Sequence, residues 1–316
     1  MTFIQLEYIV AVDTYRHFAE AANRCFVTQP TLSMQIQKLE DELKVKIFDR
    51  SKQPVMPTEI GKTIIEQART LLADKERLFE TVNEHKGILS GELKIGIIPT
   101  LAPYLLPLFI QRFNKSYPNV KLIVQEGITT QIIQLLKEGV LDAGVVVTPL
   151  NEKGISEHVL FYEELLVYAS KSNQTYKKNY VLAKDIDPNE LWLLEEGHCF
   201  RSQIMNLCEL RKDSLIKEQF EYRAGSIEAL RRMVELNEGI TILPELSVED
   251  MDPKRKKMIR PFKKPQPMRE VSIITHRDFV KKRMIEALAS TILQSVPEKV
   301  LSNSKNNIVK IKEVES

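Results

Sequence analysis

The 316-residue sequence predicts a mixed α and α/β protein, with a helical N-terminal part, one long helix and a larger α/β part. Three patterns indicate this fold class. Short helical segments precede Lys44, an uninterrupted helical stretch runs from about Thr58 to Lys86, and apolar β-branched runs alternate with helical patterns beyond Gly91. Hydrophobic residues make up 43% and charged residues 28% of the chain, which is typical of a globular protein.

Two short helices joined by a tight turn predict a helix-turn-helix before Lys44. The first helix contains the Ala-rich segment Phe18–Ala22, and the turn runs through Cys25–Val27. Thr28 can cap the next helix by accepting a hydrogen bond from a free backbone N–H, and Pro30 fits the first turn, where a missing N–H costs little. The second helix is polar on its exposed side, which is typical of a helix that reads DNA.

DNA binding has to be argued from this local arrangement, because a net charge of +2 does not indicate nucleic acid. A hairpin-like stretch after the second helix predicts a wing. Side chains that could reach base edges are Gln29, Thr31, Ser33 and Gln35. Pro30 shapes the helix start and could also touch a thymine methyl group. Side chains better placed for phosphates are Thr28, Lys38, Arg50 and Thr58.

The stretch from Thr58 to Lys86 contains no proline and predicts a single long helix. Its apolar side chains recur at alternating steps of three and four residues: Ile64, Ala68, Leu71, Leu78 and Val82. Such a seam usually pairs with a copy of itself, although the helix could instead pack on its own domain. We assign 1–58 to the DNA-binding domain and 59–88 to a dimerising linker helix, which ends at Gly87–Gly91.

The remaining chain alternates strand-like and helical segments. Its near-continuous apolar strands predict a parallel sheet that is covered on both faces. We assign 91–161 and 267–297 to a first lobe and 162–266 to a second lobe, which includes a helix at 200–210. The stretch 302–316 is polar and lysine-rich without turn or cap signals, and we expect it to be disordered.

Cysteine and histidine usage bears on redox chemistry and metals. Three cysteines in a chain of this length do not form a disulfide scaffold. The five histidines are scattered, and no CxxC or HxxxH pair is present, so we expect neither a metal nor a cofactor. The N-terminus lacks a secretory signal and the chain lacks an apolar run of about 18 residues, so we expect a cytoplasmic protein without membrane contact.

Several motifs make the chain resemble the LysR-type regulator family over residues 1–297. They are Phe18–Ala22, Thr28–Ser33, Lys38–Glu40, Phe48–Arg50 and Ser90–Gly96. The resemblance implies a winged helix-turn-helix, a linker-helix dimer and a two-lobed α/β effector domain similar to type 2 periplasmic binding proteins. It also implies promoter DNA and RNA polymerase as partners, and assembly as a dimer or tetramer.

Three further motifs resemble the group of this family that senses hydrogen peroxide: Gly197–Arg201 together with Cys208, Ser226–Arg231 and Gly239–Pro244. This narrower resemblance implies that peroxide oxidises Cys199 to a sulfenic acid and that Cys208 resolves it as a disulfide. Glutaredoxin or thioredoxin would reset the protein. The change in dimer packing would alter the spacing of the paired DNA-binding domains on the promoter.

The same resemblance implies that Thr100, Thr129 and His198 hold peroxide near the sulfur, with support from Arg201. Without it, either threonine could simply cap a helix, His198 could cap or pack, and Arg201 could be a surface ion-pair partner. Two positions depart from the pattern. Ser202 stands where an acidic residue is common, and Gln53–Pro54 replace basic residues of the wing.

The two cysteines lie nine residues apart in sequence. The spacing places Cys208 on the apolar face of the predicted helix, buried when reduced. Cys199 would lie at the positive helix N-terminus beside His198 and Arg201, which favours the thiolate. Nine residues of helix rise about 13.5 Å, whereas a disulfide needs Cα atoms within about 7 Å. Disulfide formation would therefore unwind the helix. Cys25 is interpreted as a small buried hydrophobic residue.

Other classes of protein make different predictions. A regulator that binds an organic metabolite between the lobes would function without Cys199. A thiol peroxidase would need no DNA-reading helix, so we expect no enzyme. A solute-binding protein with similar lobes would carry an export signal.

Overall fold

The computed structural model describes residues 1–85, 89–195, 197–210, 224–277, 281–305, 307–309 and 311. The described residues form two compact units, one built from residues 1–89 with 281–282 and the other from residues 90–277 with the part after 282. The predicted break at Gly87 and Ile88 lies outside the described residues. No helix in the described part combines the length and apolarity needed to cross a bilayer.

The first unit consists of four helices and a two-stranded hairpin. Its elements are α1 (Phe3–Tyr15), α2 (Phe18–Arg24), α3 (Gln29–Leu43), β1 (Phe48–Asp49), β2 (Met56–Pro57) and α4 (Glu59–His85). Thr28 caps α3 by accepting from the Thr31 backbone N–H, and Pro30 lies in the first turn, as predicted. The helices enclose one apolar core that includes Ile9, Leu32, Ile36 and Leu39.

Helix α4 contributes both to this core and to the surface. Ala68 is 1% exposed and packs inside the unit, whereas Leu71 and Leu78 are 41% and 71% exposed. The side chain of Val82 lies outside the described residues. The N-terminal part of the predicted seam therefore serves its own domain, and the two exposed leucines are available to a partner.

The second unit is built on a seven-stranded sheet. Its strands are β3 (Gly91–Ile97), β4 (Val120–Glu126), β5 (Ala143–Thr148), β6 (Ile155–Ala169), β7 (Ile240–Pro244), β8 (Ile259–Pro261) and β9 (Met268–His276). The order is β4-β3-β5-β9-β6-β7, and β8 also pairs with β6. The helices are α5 (Ala102–Ser116), α6 (Thr129–Lys137), α7 (Cys199–Leu207), α8 (Ile227–Leu236), α9 (Pro253–Lys256), α10 (Lys282–Leu293) and α11 (Glu298–Leu301).

The prediction of a parallel sheet is correct for β3, β4 and β5 and wrong for the rest. β9 runs antiparallel to β5 and β6, and β7 runs antiparallel to β6. β6 is 15 residues long, pairing with β9 along its first part and with β7 from Leu165 onward. α7 and α8 lie between β6 and β7 in the chain, yet these two strands pair antiparallel, so helices between strands do not by themselves fix parallel pairing.

The disorder predicted for 302–316 is wrong for residues 307–309. Ile308 forms a parallel β-bridge with Met268, and Val309 is 7% exposed. Val309 joins the apolar core of the second lobe, which also contains Phe200, Ile204 and Cys208. This segment is held in place by the burial of one valine and by its pairing with the start of β9. Neither feature has a local sequence signal.

Candidate redox site and nucleic-acid interface

Cys199 is the first residue of α7 and is a partly buried free thiol. Gly197, just before the helix, has a φ of 93°, a conformation that side chains rarely adopt. Through this turn the Cys199 sulfur reaches the start of α6, where Sγ lies 3.0 Å from the Thr129 hydroxyl oxygen. The structure thus joins two predicted site residues that are 70 positions apart in the chain.

The expectation that the surroundings favour the Cys199 thiolate is wrong. Burial raises the pKa of the Cys199 thiol, and the hydrogen bond with Thr129 opposes that rise. Burial also lowers the pKa of His198, with Glu195 opposing, so the imidazole is neutral at pH 7. Arg201 donates from Nη1 to the Leu194 carbonyl oxygen at 2.7 Å. Its charge is therefore directed at the backbone, whereas the prediction placed it beside the sulfur.

In the structure, the side chains of His198 and Thr129 do not cap helices. His198 precedes α7 but makes no capping hydrogen bond with its side chain, and its Nε2 lies 3.8 Å from a Glu195 carboxylate oxygen. Thr129 is the first residue of α6, behind the cap residue Ile128, and its hydroxyl contacts the thiol. Both side chains are buried, with exposures of 7% for His198 and 4% for Thr129.

Thr100 is held by a buried arginine that the sequence analysis missed. Arg269 donates from Nη1 to the Thr100 hydroxyl at 3.1 Å and from Nη2 to the Thr100 carbonyl at 3.2 Å. Its Nε donates to Glu163 at 2.6 Å, and its guanidinium lies 5.3 Å from the centre of the Phe200 ring. Arg269 and Glu163 are both fully buried. Thr100 is thus tied to the arginine, and Phe200 links the arginine to α7.

A weak sequence signal could have pointed to Arg269. Arg269 and Glu270 lie near the start of a strand in which every residue except the last is buried. A charge inside such a run requires a partner, because an unpaired buried charge is costly. The partner Glu163 lies 106 residues earlier in β6, and no local pattern connects the two positions.

Cys208 directly follows α7 and is 6% exposed, which confirms its predicted burial in the reduced protein. It lies in the same apolar core as Phe200 and Ile204. Burial raises the pKa of its thiol to about 12. The helix between the two cysteines is intact, and both are free thiols.

The start of α3 presents a polar surface. Thr28, Gln29, Pro30, Thr31 and Lys38 are exposed. The Thr28 hydroxyl is 2.8 Å from that of Thr31, so this pair is already partly satisfied within the helix start. Gln35 accepts from Gln5 and is half-buried, which leaves Gln29 and Thr31 as the best exposed of the predicted base contacts.

The wing arginine is held against α3. Arg50 donates to the Ser33 hydroxyl at 3.0 Å and pairs with Glu40, and its guanidinium lies 5.0 Å from the Phe18 ring centre. Ser33 therefore positions Arg50 in addition to any contact with DNA. The Thr58 hydroxyl donates to the Lys46 carbonyl and accepts from the Gly61 backbone N–H, so it fixes the start of α4.

Comparison with known proteins agrees with both parts of this structure. Residues 3–62 match the bacterial regulatory helix-turn-helix protein family of lysR type, and residues 86–297 match the LysR substrate binding domain. Together they cover most of the chain. The chain belongs to the LysR family of DNA-binding transcription regulators, as its helix-turn-helix and α/β effector domain indicated.

Individual relatives narrow this class to OxyR regulators. The DNA-binding transcriptional dual regulator OxyR of Escherichia coli K12 is 36% identical, with 92% of this chain and 95% of the relative covered. Full-length OxyR from Pseudomonas aeruginosa, solved as a variant, is 34% identical over 94% of this chain and 99% of that one, with a TM-score of 0.77. A Corynebacterium glutamicum OxyR variant with bound H2O2 is 25% identical over 95% and 94%, with a TM-score of 0.62.

Proposed function

We propose that this regulator senses hydrogen peroxide by reversible formation of a disulfide between Cys199 and Cys208, and that it controls oxidative-stress genes accordingly. The observation that carries the proposal is the contact of the Cys199 thiol with Thr129, at the start of a helix that ends at a second, buried thiol. The names of the relatives, which include activators of hydrogen peroxide-inducible genes, support the choice of oxidant.

The chemistry proceeds in two balanced steps. The Cys199 thiolate attacks one peroxide oxygen, the O–O bond breaks, and the leaving hydroxide takes up a proton to become water. Cys199 is then a sulfenic acid. Cys208 gives up its proton as its sulfur attacks that of Cys199, the S–S bond forms as the S–O bond breaks, and the leaving hydroxide takes up the proton to become a second water. Two thiols are oxidised and one peroxide is reduced, and a dithiol protein such as glutaredoxin or thioredoxin reverses the reaction by exchange.

Peroxide binding is assigned to Thr100, Thr129 and His198. Hydroxyl groups and a neutral imidazole both donate and accept hydrogen bonds, so they suit a small polar oxidant and its leaving hydroxide. Arg269 extends this set, because it holds Thr100 from behind with two hydrogen bonds. Arg201 supports the site through the Leu194 carbonyl and makes no direct contact with peroxide in this scheme.

Signal transmission follows from the geometry of α7. Its two ends cannot approach to disulfide distance while the helix is intact, because nine residues of helix span about 13.5 Å. Oxidation therefore unwinds α7 and repacks the second lobe, which we assign to 162–266. The change reaches the first lobe, which we assign to 91–161 and 267–297, through β6 and β9. The rearrangement then alters how paired effector domains pack in the dimer or tetramer.

At the promoter, we assign base contacts to Gln29 and Thr31 and phosphate contacts to Lys38 and Arg50. The shape of this surface is set by Thr28, Pro30 and Ser33. Gln35 is less exposed than Gln29 and Thr31. Leu71 and Leu78 of α4 are assigned to the dimer contact. RNA polymerase is the proposed partner in activation.

Mapping of disulfides by mass spectrometry tests the mechanism. The full chain is reduced, treated with one equivalent of hydrogen peroxide, and alkylated, and the peptides are compared before and after treatment. We expect a Cys199–Cys208 disulfide that a dithiol reverses. Cys25→Ser serves as the control and should oxidise like the parent protein, since Cys25 lies in the other unit.

Absence of the disulfide after peroxide treatment would distinguish a peroxide sensor from a regulator that binds a metabolite. If Cys199 and Cys208 both remain open to alkylation after peroxide, the redox mechanism is wrong. The protein would then be a LysR regulator that responds to an organic metabolite, and Cys199→Ser would retain full promoter control.

A further inference from the structure

Residues 307–309 form an isolated β-bridge with the beginning of β9. The Met268 backbone N–H donates to the Asn307 carbonyl at 3.1 Å, and the Val309 N–H donates to the Met268 carbonyl at 2.8 Å. Ile308 and Met268 form the parallel bridge between them. The next residue of β9 is Arg269, so the docked segment adjoins the arginine that holds Thr100 and faces Phe200.

The same segment also contacts α7. Gln203 lies between the two cysteines and is fully buried, and its Nε2 donates to the Val309 carbonyl at 2.9 Å. The Val309 side chain packs into the core that contains Cys208 and Ile204. The segment is therefore hydrogen-bonded to α7 through Gln203, and its Val309 side chain shares an apolar core with residues of that helix.

We infer that segment 307–309 holds α7 in its helical, reduced form, and that Gln203 is the positioning residue through which it acts. The inference rests on the proposed disulfide switch. When Cys199 and Cys208 join, the backbone around Gln203 leaves its helical position, so the bond from Gln203 to Val309 has to break. Oxidation thereby releases the segment, and release of the segment makes oxidation easier, because the coupling of two equilibria is reciprocal.

Hydrogen exchange of the reduced protein tests the hold of the segment on α7 without any peroxide chemistry. A chain ended after Lys305 lacks the segment, and a chain ended after Ile311 retains it and serves as the matched control. In the shorter chain we expect the amides of α7 to exchange about tenfold faster, since the hydrogen bond to Gln203 and the buried side chain of Val309 are lost. The amides of α5 should be unchanged and thus report an intact fold.

Gln203→Met provides a second variant that keeps the segment. It leaves the buried Val309 carbonyl without a donor, so we expect the Val309 amide to exchange roughly fivefold faster. Oxidation of the full chain should likewise speed exchange at Val309. Unchanged α7 exchange in the chain ended after Lys305 overturns the inference, even if peroxide still forms the disulfide. Failure of the parent protein to form the disulfide instead overturns the proposed function, while the exchange of the reduced protein still decides whether the segment holds α7.

Discussion

The Cys199 thiol is subject to two opposing influences. Burial removes the water that would stabilise a thiolate, and the Thr129 hydroxyl replaces part of that stabilisation by a hydrogen bond. The result is a thiol whose pKa lies above its ordinary value. Its reactivity then depends on a few nearby groups, since the fraction of thiolate at neutral pH is small.

Removal of the Thr129 hydroxyl should slow alkylation of Cys199. In Thr129→Val the pKa of Cys199 should rise further, because a hydrogen bond that opposes the effect of burial is lost, and the alkylation rate at pH 8 should fall by roughly threefold to tenfold. The pH profile of iodoacetamide alkylation at the Cys199 peptide measures this. Thr130→Val, at an exposed position in the same helix, is the control and should leave the profile unchanged. Identical profiles for both variants would contradict the role of Thr129.

The two switch cysteines should differ in their pH dependence. Because the Cys208 pKa is raised to about 12, it stays a thiol from pH 7 to pH 9. Cys199 is only partly buried, and its hydrogen bond with Thr129 opposes the rise of its pKa, so alkylation of Cys199 should precede that of Cys208. Time-resolved alkylation followed by peptide mass spectrometry checks the order. Equal rates at both sites would show that α7 is already open in the reduced protein.

Among the elements, α7 is the one that the proposed disulfide would unwind. Its stability should therefore control the second oxidation step. Ser202 lies at a half-buried position within it, and alanine favours a helix over glycine by about 1 kcal/mol. Ser202→Gly should form the Cys199–Cys208 disulfide about fivefold faster than Ser202→Ala. Quenched-flow alkylation measures both steps, and sulfenic acid formation at Cys199, which does not require unwinding, should be equal in the two variants.

Helix α3 is the corresponding element for DNA. Loss of a phosphate contact in Lys38→Ala should weaken binding to specific and random DNA alike and should reduce the slope of log affinity against log salt by about one. Gln29→Ala should instead lower the binding free energy by about 1–3 kcal/mol, and only for the specific promoter. Fluorescence anisotropy over a salt series distinguishes these results. Lys115→Ala, exposed in the other unit, is the control for lost charge.

At the scale of the whole effector unit, the buried pair of Arg269 and Glu163 joins distant elements. Arg269 lies on β9 and Glu163 on β6, and Glu163 also accepts from the Leu246 backbone N–H at 3.1 Å. Burial raises the pKa of Glu163, and Arg269 opposes that rise. The pair therefore joins β9 to β6. It also fixes the position of the arginine that donates to Thr100.

Breaking this pair should destabilise the protein strongly. Glu163→Gln leaves a fully buried arginine without its counter-charge, and we expect unfolding in urea to become easier by about 3–5 kcal/mol. Combining it with Arg269→Met should recover part of the loss, because no charge remains buried. Glu152→Gln, which breaks an exposed ion pair with Lys137 in the same unit, should cost at most about 1 kcal/mol. If Glu163→Gln and Glu152→Gln lowered the free energy of unfolding by similar amounts, burial of the ion pair would not be important.

Features with local sequence signals were predictable. The cap at Thr28, the helix after Cys199 and the burial of Cys208 follow from side-chain capping and from helical spacing, which act within a few residues. The resemblance to LysR regulators added Thr129 as a neighbour of Cys199, which the contact between their side chains supports. The pKa direction of Cys199 was wrong, because local sequence does not give the depth of burial or the direction in which Arg201 points.

The sequence by itself determined the helix-turn-helix, the spacing of Cys199 and Cys208 and the helix between them, because those depend on neighbours along the chain. Only the tertiary structure decided that Arg269 holds Thr100 from a distance of 169 residues and that Val309 docks on Gln203. The antiparallel return of β9 was decided in the same way. Such contacts depend on which strands become neighbours, and the free energy of that choice is spread over the whole buried core.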